Sequence, residues 1–185
     1  MLAGVGFALA AGDALVLRGP NGSGKSSLLR LLAAFLPPAA GHLAWEGTPI
    51  GDDLAAHRTR LHWVGHADGI KSALTVGENL AFAAALAGAG DERITAALAH
   101  FGLAGLAELP GRLLSAGQRR RTALARLLAA ARPLWLLDEP GVGLDAASRT
   151  RLEDAIAAHR AGGGLVVLAT HGDVAVPDPL VLDLE

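Results

Sequence analysis

Gly19, Pro20, Asn21, Gly22, Ser23, Gly24, Lys25 and Ser26 have the types and the spacing needed to hold a chain of phosphates, G-x-x-x-x-G-K-S. Phosphates are bulky and multiply charged. Glycines at 19, 22 and 24 let backbone N–H groups turn inward and approach them closely, and a helix beginning at the end of the loop adds its positive N-terminal end. Lys25 supplies a mobile positive charge, and the Ser26 hydroxyl suits a hard cation such as Mg²⁺ beside the β- and γ-phosphates. The flanks agree. Residues 13–18 are apolar enough for a buried parallel strand, and from Ser26 and Ser27 onward helical apolar spacing predicts a helix to Leu36, closed by Pro37 and Pro38. A glycine-rich turn matching by accident would lack that setting.

Two carboxylates, Asp138 and Glu139, stand at the C-terminal end of the apolar run 134–137, the edge at which open α/β sheets bind ligands. Asp138 is placed to hold Mg²⁺, directly or through water, and Glu139 to polarise an attacking water. Alone, the pair reads equally well as the acidic end of a strand before Pro140. Leu114, Ser115, Ala116, Gly117 and Gln118 precede a helix expected over 119–131. Ser115 and Gln118 form a capping box in the S-x-x-Q form, which explains both without any ligand. It does not explain the five residues as a unit; Gly117 would let the Ser115 hydroxyl and the helix end face a second anion. Thr170 and His171 follow the apolar run 165–169, where a plain polar loop is the ordinary reading.

These residues need elements to position them. Short strands are expected at 7–9, 14–17, 42–46, 60–65, 134–137, 165–169 and 180–184, the last at a sheet edge, with a helix over 146–160. Residues 67–116 change character: helices start near Leu74 and at Asp91, and Gly102, Gly105, Pro110 and Gly111 punctuate them, so a mainly helical insert is expected. Beyond Ser115, helices and strands alternate as in a parallel α/β sheet. At 185 residues one domain is expected. A net charge of −2 argues against a nucleic-acid footprint. The absence of cysteine fits a reducing compartment, the longest apolar stretch is broken by Arg126, Arg132 and Pro133, and no basic leader precedes an apolar segment, so a cytoplasmic protein is expected.

With these motifs assembled, the chain resembles the ATP-binding-cassette (ABC) ATPases: phosphate loop, L-S-A-G-Q signature, Asp138-Glu139 strand end, Gly143-Leu144-Asp145 at the D-loop position and Thr170-His171 after the last long strand. The resemblance covers nearly the whole chain. It implies an α/β fold, a P-loop NTPase cassette over 1–185 with a RecA-like parallel core, a small, N-terminally truncated antiparallel β part and a helical subdomain at about 67–118. It also implies ATP and Mg²⁺ as cofactors and a head-to-tail homodimer. Each ATP is then sandwiched between residues 19–27 of one subunit, with Ser26 and Asp138 on Mg²⁺, and Leu114, Ser115, Ala116, Gly117 and Gln118 of the other. His171 contacts the γ-phosphate and orients the water activated by Glu139, and Asp145 couples the two sites.

Residues 65–71, 74–80, 118–127 and 133–135 are similar to the ATPase subunits of haem exporters in bacterial cytochrome c maturation. That implies integral membrane permease partners and a peripheral place on the cytoplasmic face of the inner membrane. Arg119, Arg120 and Arg121 read otherwise as a solvated helix face. Two departures stand out. His66 occupies the position where ABC ATPases carry the glutamine that senses Mg²⁺ and touches the membrane partner; haem-exporter subunits share the histidine, which can carry a proton that glutamine cannot. Ahead of Phe7 the chain lacks a strand and its adenine-stacking aromatic, so a truncated start and weak nucleotide affinity are expected, with Phe7 itself in the core. The competing readings are an ABC subunit for another substrate, a soluble repair or translation factor, for which no coiled coil, second cassette or basic face is present, and a regulatory module without turnover, which Glu139 and His171 disfavour. The seven histidines are scattered without ligand spacing, so direct haem binding is not expected.

Overall fold

The computed structural model describes residues 3–185. Its frame is a five-stranded, wholly parallel sheet in the order β4(Leu61–Val64), β5(Leu134–Asp138), β6(Leu165–Ala169), β1(Ala14–Arg18), β7(Leu180–Asp183). The central strands are near-continuous aliphatic runs because both faces are covered. On one face α1(Lys25–Leu32) packs against β5 and β6, burying Leu28 and Leu29 with Leu15, Leu17, Leu136 and Val167. On the other, Leu124, Leu127, Trp135, Leu152, Ile156 and Leu168 share the larger core. That core is built with α5(Ala116–Ala129) and α6(Ala146–Ala161), and α3(Val76–Leu86) and α4(Asp91–His100) pack against α5.

Several local expectations need correction. Residues 7–9 form no strand, and Phe7 is 38% exposed rather than buried; β1 already has β6 and β7 on its two sides, so this segment cannot pair with the strand that follows it. Only Val5 and Leu9 of this region lean on the core. The first helix stops at Leu32, four residues short of Leu36, in a Schellman turn: Ala34 takes a left-handed φ of 55°, and the amides of Ala34 and Phe35 bond the carbonyls of Leu31 and Arg30. The antiparallel part is a minimal hairpin of β2(Ala44–Trp45) and β3(Thr48–Pro49). A short helix, α2(Leu54–Thr59), was not foreseen; Asp53 caps it by accepting from the Ala56 amide. The expected final strand is there, as β7 at the sheet edge.

Candidate functional site

Three neighbouring strands deliver the candidate residues to one edge of the sheet. β1 ends at Arg18 and opens directly into the phosphate loop; β5 ends at Asp138 and is followed by Glu139; β6 ends at Ala169 and is followed by Thr170 and His171. All three are parallel, so their carboxyl ends share one rim.

The loop itself is glycine-shaped. Gly19, Gly22 and Gly24 have φ of 143°, 88° and 101°, in the region L-residues avoid. A Cβ on Gly19 would lie 2.6 Å from Ser23 Oγ and would run into the Leu184 carbonyl oxygen. Lys25, 7% exposed, folds its ammonium back to donate to the carbonyls of Gly19 at 2.6 Å and Pro20 at 3.0 Å, so the cation sits inside the loop. Ser23 Oγ is buried without a partner. A cleft of about 540 Å³ opens between Arg18 and Gly19 on one side and Thr170, His171 and Gly172 on the other. An inward cation, an orphaned hydroxyl and a cradle that only glycine permits fit a phosphate ligand. Ser26 and the nearly buried Asp138 are hard oxygen donors of the kind Mg²⁺ takes alongside phosphate oxygens. Among the described residues no cluster of three or more acidic, histidine or cysteine side chains is placed to hold an ion.

Glu139 is held in an uncommon shape. Its φ is +49°, a left-handed conformation rare for glutamate. Its amide donates to the Ala169 carbonyl, and its side chain reaches His171, with Oε1 3.3 Å from Nε2. The turn beyond it is tight, because a Cβ on Gly141 would strike the Asp173 carboxylate and lie 2.8 Å from Val174 Cγ2. Thr170 steadies that second loop by donating to Asp173 Oδ1.

The capping box at the start of α5 forms as expected: Ser115 Oγ accepts from the Gln118 amide, and Gln118 Oε1 accepts from the Ser115 amide. Ser115 and Ala116 are nonetheless exposed, Leu114 is buried beneath them, and the Ser115 hydroxyl proton remains free to donate. Gly117 has ordinary helical backbone, and a Cβ there would only touch the Gly143 carbonyl at 3.5 Å, so nothing inside the chain demands glycine. Gly117 is itself half-buried. Asp145 caps α6 by accepting from the Ser148 amide at 2.7 Å; hydrogen bonds from Ser148, side chain and then backbone, hold its carboxyl below the usual carboxylate range. His66 is exposed in the loop after β4.

The profile of the ABC transporter family matches residues 2–142. This chain belongs to the ABC transporter family. Its cassette is 58% identical over 185 residues to the cytochrome c biogenesis ATP-binding export protein CcmA of Rhodospirillum rubrum, covering all of this chain and 79% of that protein. Its fold matches a solved ATP-binding subunit of an ABC transporter with a TM-score of 0.83 at 24% identity, covering 90% and 71% of the two chains. It also resembles an ATP-binding cassette solved as a dimer in a post-hydrolysis state with ADP and phosphate, at a TM-score of 0.79 and 26% identity over 89% of this chain and 77% of that one.

A solvated helix face is the ordinary reading of Arg119, Arg120 and Arg121, and the middle residue departs from it. Arg120 is 6% exposed, and its guanidinium reaches the end of β5 and the loop after β4 together. The signal was present in the spacing: 120, 123, 124 and 127 repeat at i, i+3, i+4 and i+7, and Ala123, Leu124 and Leu127 are core residues. A cation on that stripe is buried by its position on the helix.

Proposed function

We propose that this chain is the ATP-hydrolysing subunit of an ABC transporter of the cytochrome c biogenesis export type, using ATP turnover to drive a membrane permease. One observation carries the chemistry: Glu139 and His171, 3.3 Å apart, follow the paired strands β5 and β6, and β6 in turn lies beside β1, which opens into the Lys25 loop, so base and phosphate cradle share a rim. The 58% identity to the CcmA protein of R. rubrum supports the narrower assignment.

In this reading the amides around Gly22 and Gly24, with Lys25, take the β- and γ-phosphates of ATP, and the ammonium gives up its carbonyl partners to do so. Ser26 and Asp138 would hold Mg²⁺, which when bound neutralises charge developing between the β- and γ-phosphates. Glu139 accepts a proton from the attacking water, and His171 holds the γ-phosphate and that water in line. Ser115 and Gly117, at the amino end of α5, contact the γ-phosphate bound to a second copy, and Asp145 couples the two sites. The exposed Ser115 hydroxyl and a glycine at 117 that nothing inside the chain demands support that sharing. Residues 67–118 would form the helical subdomain of a single cassette, His66 would sense the permease, and the pair would sit peripherally on the cytoplasmic face of the inner membrane. No helix among the described residues is long and apolar enough to cross a membrane, consistent with a separate permease chain.

Complementation tests the shared site. Ser115→Arg should abolish turnover while leaving ATP bound at Lys25, Lys25→Ala should abolish binding in its own loop, and mixing the two variants should restore activity at one site per dimer. A mixture as inactive as its parts refutes site sharing. Copurification with cytochrome c maturation permease subunits tests the narrower assignment, and recovery of other permeases would overturn it.

A further inference from the structure

We propose that Arg120 is a positioning residue that holds the Glu139 backbone in its catalytic shape and ties that shape to the loop carrying His66 and to the signature helix. The inference rests on Glu139 acting as the base in the function proposed above. Its support is geometric. Nη2 donates to the Glu139 carbonyl at 2.7 Å and reaches the Asp138 carbonyl at 3.4 Å, and Nε donates to the Pro140 carbonyl at 3.2 Å. One side of the guanidinium thus grips three successive carbonyls at the point where the chain turns left-handed, with Glu139 at φ +49°. On the other side Nη1 donates to the Gly65 carbonyl at 2.9 Å and to Asp68 Oδ1 at 3.2 Å, on either side of His66. Arg126, two turns further along α5, secures the same loop by donating to the Asp68 and Gly69 carbonyls.

A left-handed glutamate persists only when its surroundings over-determine it. Here a buried cation supplies that constraint, and a planar fork suits it because its donors leave in fixed, divergent directions. Lysine offers a point charge on a flexible stem and cannot span both loops. Arg120 lies in the second turn of α5, whose first turn presents Ser115 and Gly117. A shift of that helix when a second copy's nucleotide engages its amino end would therefore move the Glu139 carbonyl and the His66 loop through one rigid group. Neither a helix cap nor core packing explains donors aimed at both loops.

The test is a double-mutant cycle on the purified chain with Mg²⁺ and ATP. Arg120→Lys should lower kcat by about tenfold to a hundredfold, with the KM for ATP within about twofold, as expected when a base is displaced by a fraction of an ångström. In the Glu139→Gln background the same change should cost less than about twofold, because the carboxylate it positions is gone. Equal losses in both backgrounds, or a rise in KM matching the fall in kcat, would overturn the proposal in favour of a general stabilising role. Asp68→Asn, which loosens one arm at a partly exposed residue, should lower kcat about threefold and again only when Glu139 is intact; an unchanged kcat overturns the link to the His66 loop even if Arg120→Lys does not fold. Wild-type turnover in Glu139→Gln alone would reject the base assignment itself, separately from the Arg120 comparison, and the proposal with it.

Discussion

Mild acid should destabilise this cassette through His62. The ring sits on β4 with Nε2 2.5 Å from the Ala130 carbonyl oxygen. Burial pushes its pKa from 6.5 down to about 4; the Ala130 carbonyl opposes the shift, while Arg132, Arg126 and His159 add to it. At neutral pH the folded ring is therefore neutral and donates Nε2–H to Ala130. The unfolded chain takes up a proton near pH 6.5, the folded chain only near 4, so below 6.5 the unfolded state binds more protons and stability falls until about pH 4. The full shift corresponds to about 3 kcal/mol, of which roughly 2 kcal/mol is reached at pH 5. His62 is only half-buried, which discounts this to about 1–2 kcal/mol, or on the order of 2–8 °C in Tm. His62→Gln keeps a donor for the Ala130 carbonyl and cannot titrate in this range. Urea unfolding at about pH 7.5 and about pH 5 should show the variant losing about 1–2 kcal/mol less than the parent. Parallel losses in the two proteins would refute the assignment of acid sensitivity to His62 and shift it to other groups, such as His159, which burial also drives down.

Glu139→Gln should cut kcat by roughly 10²- to 10³-fold while ATP still binds and protects against thermal unfolding; a loss of that protection would contradict a purely chemical role. Gly19→Ala should remove ATP binding and cost about 1–3 kcal/mol from backbone strain alone, since its φ is 143° and the new Cβ meets Ser23 and Leu184; a normal ATP-induced shift in Tm would refute the steric reading. Leu136→Ala, in the fully buried middle of β5, should cost roughly 2–5 kcal/mol in urea unfolding without changing the KM for ATP of the protein that remains folded.

The sequence was most legible where function sits in contiguous runs. Residues 19–26 point to both chemistry and location because the aliphatic strand before them is unambiguous, whereas the Asp138-Glu139 pair, ambiguous alone, takes its reading from that loop and from the C-terminal edge of a parallel sheet. Ser115 and Gln118 were legible as a cap, and the cap is what forms. Contacts between segments distant in sequence were not legible: the approach of Glu139 to His171 joins the ends of two strands, and Arg120 meets carbonyls 55 residues before it and about 20 after it. Its neighbours Arg119 and Arg121 share its charge but not its burial, and clustered charge by itself does not distinguish the three. The misplaced elements were local and marginal. Residues 7–9 alternate plausibly, yet a strand requires a free partner, and the left-handed Ala34 that ends α1 carries no signature in an alanine-rich stretch.

The order in which the sheet assembles has a consequence for synthesis. β1 carries the phosphate loop and is the earliest strand of the sheet, but Ala14 pairs with Val166 and Leu15 with Leu180. On the ribosome, at about 5–20 residues per second, the Ala-Leu-Val-Leu run must wait many seconds for both neighbours, an exposed apolar edge available to any passing strand. The Leu184 carbonyl that closes against Gly19 arrives later still. The nucleotide loop, encoded early, therefore cannot take its final form until β7 has emerged, so nascent chains of this cassette should be substrates for holding chaperones and should acquire ATP-dependent protease resistance only once β7 is available to pair.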